Sequence, residues 1–227
     1  MLDTLVKSTI VDRFVLPHVD LGFPIIAGST VPSDNGYGTY GATCRECSEL
    51  HDLKDISIQS ISGKSYEPGK IQITDYSQLK IRIPYDAETL SLILPFAGKK
   101  LTIGIHEIQL GIPMMSPLEA VPILRSRIVT IKKFHEPEPF LAAVQRQLEA
   151  LEIEGIAKIP LNRKGEIDRK VIKIKTYTVV GFGVEVSDLS DEDSLKLQIA
   201  GLGGKHKMGC GIFNPLSKRR RMLDEQN

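Results

Sequence analysis

The chain has 227 residues, 41% hydrophobic and 25% charged, enough to bury roughly 70–75% of its unfolded surface in one large or two small domains. Basic residues number 29 and acidic ones 28, a formal net charge of +1, so any nucleic-acid affinity must come from a local patch and not from the whole-molecule field. Wholesale disorder is excluded, no apolar run nears the roughly 18 residues of a membrane helix, and three cysteines with no signal-peptide layout in Met1 to Asp12 point to a reducing cytoplasm.

Phe14 to Ile26 alternates loosely as a strand and leaves into a loop at Ala27-Gly28-Ser29. Thr30 to Gly38 is rich in turn formers. A helix is expected from Tyr37 to about His51, because Tyr40, Cys44, Cys47 and His51 recur at helical spacing with Glu46 and Glu49 off the stripe. Ile56, Ile58 and Ile61, then Leu79, Ile81 and Ile83, are two period-two runs that read as a strand pair. Asp86 is placed to cap a short helix reaching Leu94. Leu101, Ile103 and Ile105 begin a strand that runs toward Leu110.

The same order then repeats. Ile123 to Ile131 alternates as a strand, Pro139 to Leu151 is helical with Leu141, Val144 and Leu148 on one face, and Ile156 to Leu161 is strand-like. Asn162 to Asp168 is a turn, Val171 to Val186 is extended with a break near Gly181, Ser190 to Ala200 is a capped helix, and Gly209 to Pro215 is the last strand. Each half is a strand, helix, strand, strand, helix, strand unit, the split unit of the ferredoxin-like fold. The fold class is therefore α+β, tandem ferredoxin-like (RRM-like) domains, 1–115 and 116–227, with the boundary in the Pro113, Pro117 and Pro122 segment.

The most specific stretch is Gly201-Leu202-Gly203-Gly204-Lys205-His206-Lys207-Met208-Gly209-Cys210-Gly211, between a helix and a strand. It fits neither a Walker loop nor a dinucleotide loop, both of which follow a strand and open a helix. Glycines let backbone amides approach an anion, and the interleaved lysines supply charge, which suits a phosphate backbone; a solvated turn is the alternative. With Lys218 to Arg221, seven potential cations fall within seventeen residues.

This loop resembles the C-terminal glycine-rich signature of the CRISPR repeat-cleaving endoribonucleases, the Cas-six family, and is similar to one branch of type I systems. Thr30-Val31-Pro32-Ser33-Asp34-Asn35-Gly36-Tyr37-Gly38-Thr39-Tyr40-Gly41-Ala42 resembles that branch's approach to its first helix. Ser126-Arg127-Ile128-Val129-Thr130-Ile131-Lys132 resembles the opening strand of its second domain. The resemblance implies two ferredoxin-like domains, recognition of CRISPR repeat RNA in precursor CRISPR RNA, and cleavage on the 3′ side of a small stem. It also implies membership of a CRISPR effector complex for some relatives, and His51 is the position that matches the family's acid/base histidine.

Cleavage of RNA without a metal or other cofactor uses the substrate's own 2′-hydroxyl as nucleophile and leaves a cyclic phosphate, so the enzyme must align it and move two protons. A histidine suits that task at neutral pH. Of the five, His18 and His106 lie in strand-like runs that suit packing or surface roles, His135 precedes a helix, and His206 lies between two lysines of the loop. His51 is the leading catalytic residue, since a helix C-terminus favours the protonated imidazole; a packed core histidine is the competing reading. Tyr37 is the second catalytic candidate. The RNA contacts expected are Gly203, Gly204, Lys205, His206, Lys207, Arg125, Arg127 and Arg163, with Lys164 weaker. Cys44, Cys47 and His51, with Cys210 as a fourth ligand, form a rival metal set, disfavoured because structural zinc ligands come from turns or separate elements. A noncatalytic RNA-binding subunit is the alternative from another class, and a structural protein with a cationic tail is a third.

Overall fold

A computed structural model describes residues 17–162 and 164–216. Within them two compact units form: residues 17–118, 173–177 and 205–209 make the first, and residues 119–172, 178–204 and 210–216 the second. The strands, in chain order, are β1 (His18–Ala27), β2 (Thr30–Pro32), β3 (Ser57–Ile58), β4 (Lys64–Ser65), β5 (Lys70–Gln72), β6 (Gln78–Pro84), β7 (Lys100–Ile103), β8 (His106–Leu110), β9 (Met114–Pro117), β10 (Leu124–Val129), β11 (Ile156–Lys158), β12 (Arg169–Ile174), β13 (Tyr177–Ser187) and β14 (Phe213–Pro215). The helices are α1 (Gly36–Glu46), α2 (Ala87–Ile93), α3 (Pro137–Ala150) and α4 (Asp191–Ala200).

The main sheet of the first unit runs β3-β6-β1-β8-β7, and that of the second runs β11-β13-β10-β14. In both, the first strand of the unit lies between the third and the fourth of the split motif, as the ferredoxin-like order requires. The fold class expected from the element order holds in both units.

The first unit's core gathers Leu21, Phe23, Leu79, Ile81, Ile83, Ile93 and Leu110. Its alternating strands put these side chains on the helix-covered face. The sheet also holds a buried ion pair set by strand register, because Asp20 lies opposite Arg82 across β1 and β6. Arg82 is 1% exposed and donates from Nε to Asp20 Oδ1 at 2.8 Å and from Nη2 to Oδ2 at 3.1 Å, the two-pronged geometry that offsets burial of both charges. The second unit's core packs Leu124, Val129, Phe140, Val144, Leu148, Phe182, Val184 and Phe213.

Helix starts were legible from the caps. Asp86 accepts from the Thr89 amide and the Thr89 hydroxyl, both at 2.8 Å, and Ser190 accepts from the Asp193 amide at 3.1 Å. Asp86→Ala should lower stability by about 1 kcal/mol, read as a shift of the urea midpoint at constant slope; an unchanged midpoint would show that the cap contributes nothing.

Five sequence readings need correction. The expected loop at Thr30 to Pro32 is strand β2, which joins β5 and β4 in a small separate sheet. The helix expected to reach His51 stops at Glu46, and Ser48–His51 is a 3₁₀ turn. The strand expected from Leu101 to Leu110 is a hairpin, β7 and β8, turning at Gly104 with φ +65°. Within the proline-rich boundary segment, Met114–Pro117 is not a bare linker but strand β9, paired to β1.

The break expected near Gly181 lies instead at Lys175, φ +53°, between β12 and β13. Gly181 stays within β13 because it makes room for a neighbour: a Cβ there would lie 2.4 Å from the carbonyl oxygen of Val129. The β10–β13 register shifts between Ser126 and Val129, so the missing side chain accommodates a bulge.

Candidate active site

The break at Cys47 assembles the site. In an unbroken helix Tyr40 and His51, eleven residues apart, would be separated by about 16 Å along the axis. Cys47 instead takes an extended conformation (φ −145°, ψ 100°), and the chain turns back through Ser48–His51. Local bonds support that turn, since Cys47 Sγ and Ser48 Oγ both contact Glu49 Oε2, at 3.5 and 3.2 Å. Side-chain bonds of this kind compete with helix continuation. As a result the Tyr40 hydroxyl lies 2.7 Å from His51 Nδ1, with the two rings stacked at 28°.

The direction of that bond follows from the protonation of the two rings. Burial, together with a hydrogen bond to Cys44, raises the Tyr40 phenol to about 12, so it stays protonated at neutral pH. A protonated imidazole donates from Nδ1 to the Tyr40 oxygen, whereas a neutral ring with Nδ1 unprotonated accepts the phenol O–H. In either case Nδ1 is occupied and Nε2 is the ring nitrogen left for another partner. His51 itself is exposed, which rules out the packed core histidine and leaves the imidazole accessible to substrate.

Because the folded state favours the protonated phenol, the stability it contributes is intact below the ordinary tyrosine value near 10 and is lost as pH rises through about 12. Absorbance titration at 295 nm should therefore show one of six tyrosines ionising last, and Tyr40→Phe should remove that final phase. A wild-type curve complete by about pH 11 would contradict this.

Lys207 completes the arrangement. Its Nζ donates to the carbonyl oxygens of Leu50 at 2.9 Å and His51 at 2.8 Å, groups that the end of a helical turn leaves without partners. Burial lowers the Lys207 ammonium below the ordinary lysine range, with Cys44 and Asp52 acting the other way. The helix-terminus argument for His51 is thus replaced by a different device: a four-residue turn whose carbonyls hold a lysine from the glycine-rich segment.

That segment is built by close packing. Lys205–Gly209 belongs to the first unit, where a Cβ on Gly209 (φ +77°) would lie 2.1 Å from Ser60 Oγ, and one on Gly36 would lie 2.2 Å from the Met208 carbonyl oxygen. In the second unit Gly203 N donates to Gln147 Oε1 at 2.7 Å, Gly204 N to Thr130 O at 3.1 Å and Gly211 N to Ile128 O at 2.7 Å. The amides expected to face an anion are therefore engaged within the chain. Lys205 is exposed and His206 and Lys207 are half-buried.

The remaining candidates lie as follows. Tyr37 is in the first turn of α1, half-buried and three residues before Tyr40. Arg125 and Arg127 are on β10, with Arg125 against Asp168 at 3.4 Å. Arg163 and Lys218 to Arg221 lie outside the described residues. His106 is half-buried with its Nδ1 3.0 Å from the Thr30 hydroxyl, and His18 is buried in β1, within the packing or surface roles expected of the two. Among the described residues no three His, Cys, Asp or Glu side chains form a metal-holding group. Sequence reading missed Tyr40 as the histidine's partner and Lys207 as the turn's cap; the shared stripe was the only signal for the first.

Comparison with known proteins bears on the identity of this fold and site. The family model described as Cas6 Crispr matches residues 19–218. A curated protein of Myxococcus xanthus (strain DK1622), the CRISPR-associated endonuclease Cas6, is 34% identical over 208 residues, 92% of this chain and 86% of that protein. Among solved structures, a Cas6-related gene product from Pyrococcus furiosus matches with a TM-score of 0.61 at 14% identity, over 89% of this chain and 99% of that one. Another, a CRISPR-associated protein Cas6, matches with a TM-score of 0.60 at 13% identity, over 88% and 99%. At such identities the structural likeness speaks to the fold, while the family model spans most of the sequence, and this chain belongs to the Cas6 family.

Proposed function

We propose that this chain is an endoribonuclease that binds CRISPR repeat RNA and cuts precursor CRISPR RNA into guide units. The observation that carries the chemistry is the 2.7 Å contact between the Tyr40 hydroxyl and Nδ1 of an exposed His51, which commits Nε2 to proton exchange. The family and the name of the Myxococcus relative, an endonuclease, support the reaction class.

In this reading the 2′-hydroxyl upstream of the scissile phosphate attacks phosphorus and passes its proton to water, the P–O5′ bond breaks, and a 2′,3′-cyclic phosphate and a 5′-hydroxyl result. His51 Nε2 donates the proton that the leaving 5′-oxygen needs, with the Tyr40 oxygen holding Nδ1–H throughout. Tyr37, three residues before Tyr40 at the start of α1, is a positioning group for the strand. Phosphate contact falls to the side chains of Lys205 and His206, together with Arg125, Arg127 and Arg163, because the Gly203 and Gly204 amides are already bonded. No metal takes part in these steps.

No described helix is long and apolar enough to cross a membrane. The three free cysteines suit a reducing compartment, and we place the activity in the cytoplasm, acting alone or within a CRISPR effector complex.

The test is to incubate the purified chain with labelled repeat RNA in excess chelator and analyse the fragment ends. A single cut with a 2′,3′-cyclic phosphate is expected. Binding without cutting would make the chain a noncatalytic RNA-holding subunit, and cutting only after added divalent metal would remove the proton-transfer mechanism.

A further inference from the structure

The second unit carries a charged cavity in which Arg125 and Arg127 meet side chains that the proposed mechanism does not use. It encloses about 360 Å³ and is lined by Arg125, Arg127, Asp168, Lys170, Asn214 and Leu216, among others. That volume falls at the small end of the roughly 300–1,000 Å³ typical of ligand pockets.

The cavity is constructed. Arg125 and Arg127, two apart on β10, project from the same face of the sheet, and Asn214 of β14 lies opposite Arg125 in register. Asp168 precedes β12 and is 9% exposed. Its carboxylate occupies space left by a missing side chain, because a Cβ on Gly183 would lie 2.3 Å from Asp168 Oδ2. Both oxygens are engaged, Oδ2 by Arg125 at 3.4 Å and Oδ1 by Lys170.

Among the described residues, three cations and one carboxylate line the cavity, a formal charge of +2 on that part of its wall. Burial lowers the Lys170 ammonium below the ordinary lysine range, Arg127 and Arg125 push the same way, and Asp168 opposes them. Cations gathered this closely in a half-enclosed site are stabilised by an anion placed among them. One carboxylate fixes both Arg125 and Lys170 in place, so these two donors are oriented before a ligand arrives.

We propose that this cavity is a phosphate subsite for the RNA strand, taking one internal phosphodiester on Arg125, Arg127 and Lys170 with Asp168 as the positioning carboxylate. It rests on the RNA-binding reading above and adds to it Lys170, Asp168 and a defined seat in the second unit. The Pro215 and Leu216 side of the cavity offers an apolar wall to the adjoining sugar or base.

The test compares two double variants of the full chain that remove the same charge. Arg127→Gln with Lys170→Gln empties the cavity of two cations while leaving Arg125 on Asp168. Lys70→Gln with Lys100→Gln removes two exposed lysines of the first unit that pair with Glu67 and Glu107. Affinity is measured across salt for a 2′-O-methylated repeat RNA with hydroxyl ends, which resists cleavage and carries only internal phosphates. The cavity variant should bind about five- to tenfold more weakly near 0.1 M salt, with the salt slope reduced by about 0.7, one phosphate's share. The control should change less than about twofold.

Equal losses in the two variants would mean a general charge effect and would overturn the subsite, as would full affinity in the cavity variant. Thermal melting checks the fold. If the double variant unfolds, Arg127→Gln alone, at an exposed position, must reproduce the loss or the proposal falls. A wild-type chain that does not bind the RNA at all would refute the RNA-binding reading itself, a distinct outcome.

Discussion

His51→Ala should slow single-turnover cleavage of repeat RNA in chelator by about 10² to 10⁴, the usual worth of one acid/base group, while the affinity for the RNA changes less than about threefold. The reasoning is geometric. His51 is exposed at the end of a turn whose Leu50 is buried, so truncating the imidazole removes a reactive group without opening the core. Lys207 holds the main-chain carbonyls of Leu50 and His51 and not the imidazole, so the turn should persist in the variant. Rates are measured at saturating protein, so that weakened binding cannot pass for weakened chemistry. A variant that cuts at the wild-type rate would move the proton transfer to His206 or to a tyrosine. One that loses both binding and cutting would make His51 an RNA contact and not an acid.

Period and caps made the frame of both units legible: the alternation of Leu79, Ile81 and Ile83, the stripe on α3, and the side chains of Asp86 and Ser190. These are local signals, each settled within a few residues. What sequence alone did not reveal was decided by partners distant in the chain. Thr30–Pro32 becomes a strand because Lys70–Gln72 pairs with it, and Met114–Pro117 because β8 pairs only with Ile25 and Ala27 at the far end of β1 and leaves residues 19–22 to it. The Tyr40–His51 pair shows the same limit. Tyr40 and His51 stand on one helical stripe in the sequence, yet a continuous helix would hold them apart, and it is the turn at Cys47 that makes the stripe into a contact. Lys207 lies 156 residues from His51 in sequence; its composition suggested phosphate, and only the folded chain shows its ammonium on two carbonyls.

The glycines of the same segment divide into those that packing requires and one that it does not, and this sets the second large effect. Gly209→Ala should destabilise the chain by about 2–4 kcal/mol, combining a left-handed backbone (φ +77°) with overpacking against Ser60, each worth about 1–3 kcal/mol. The new Cβ would stand 2.1 Å from Ser60 Oγ and 3.0 Å from the Ser60 amide nitrogen. The hydroxyl can swing away but the backbone cannot, so Lys205–Gly209 must shift outward and take Lys207 from the carbonyls of Leu50 and His51. Cleavage should fall together with stability, since the turn that presents the imidazole loses its cap. Gly204→Ala is the internal comparison: nothing stands within 4 Å of its Cβ position and its φ is not in the left-handed region, so its stability should stay within about 0.5 kcal/mol of wild type. Urea denaturation of the two variants side by side reads the difference. If they unfold at the same midpoint, the close approach of Gly209 to Ser60 does not hold the segment, and Lys207 must be kept on the His51 turn by its own two hydrogen bonds.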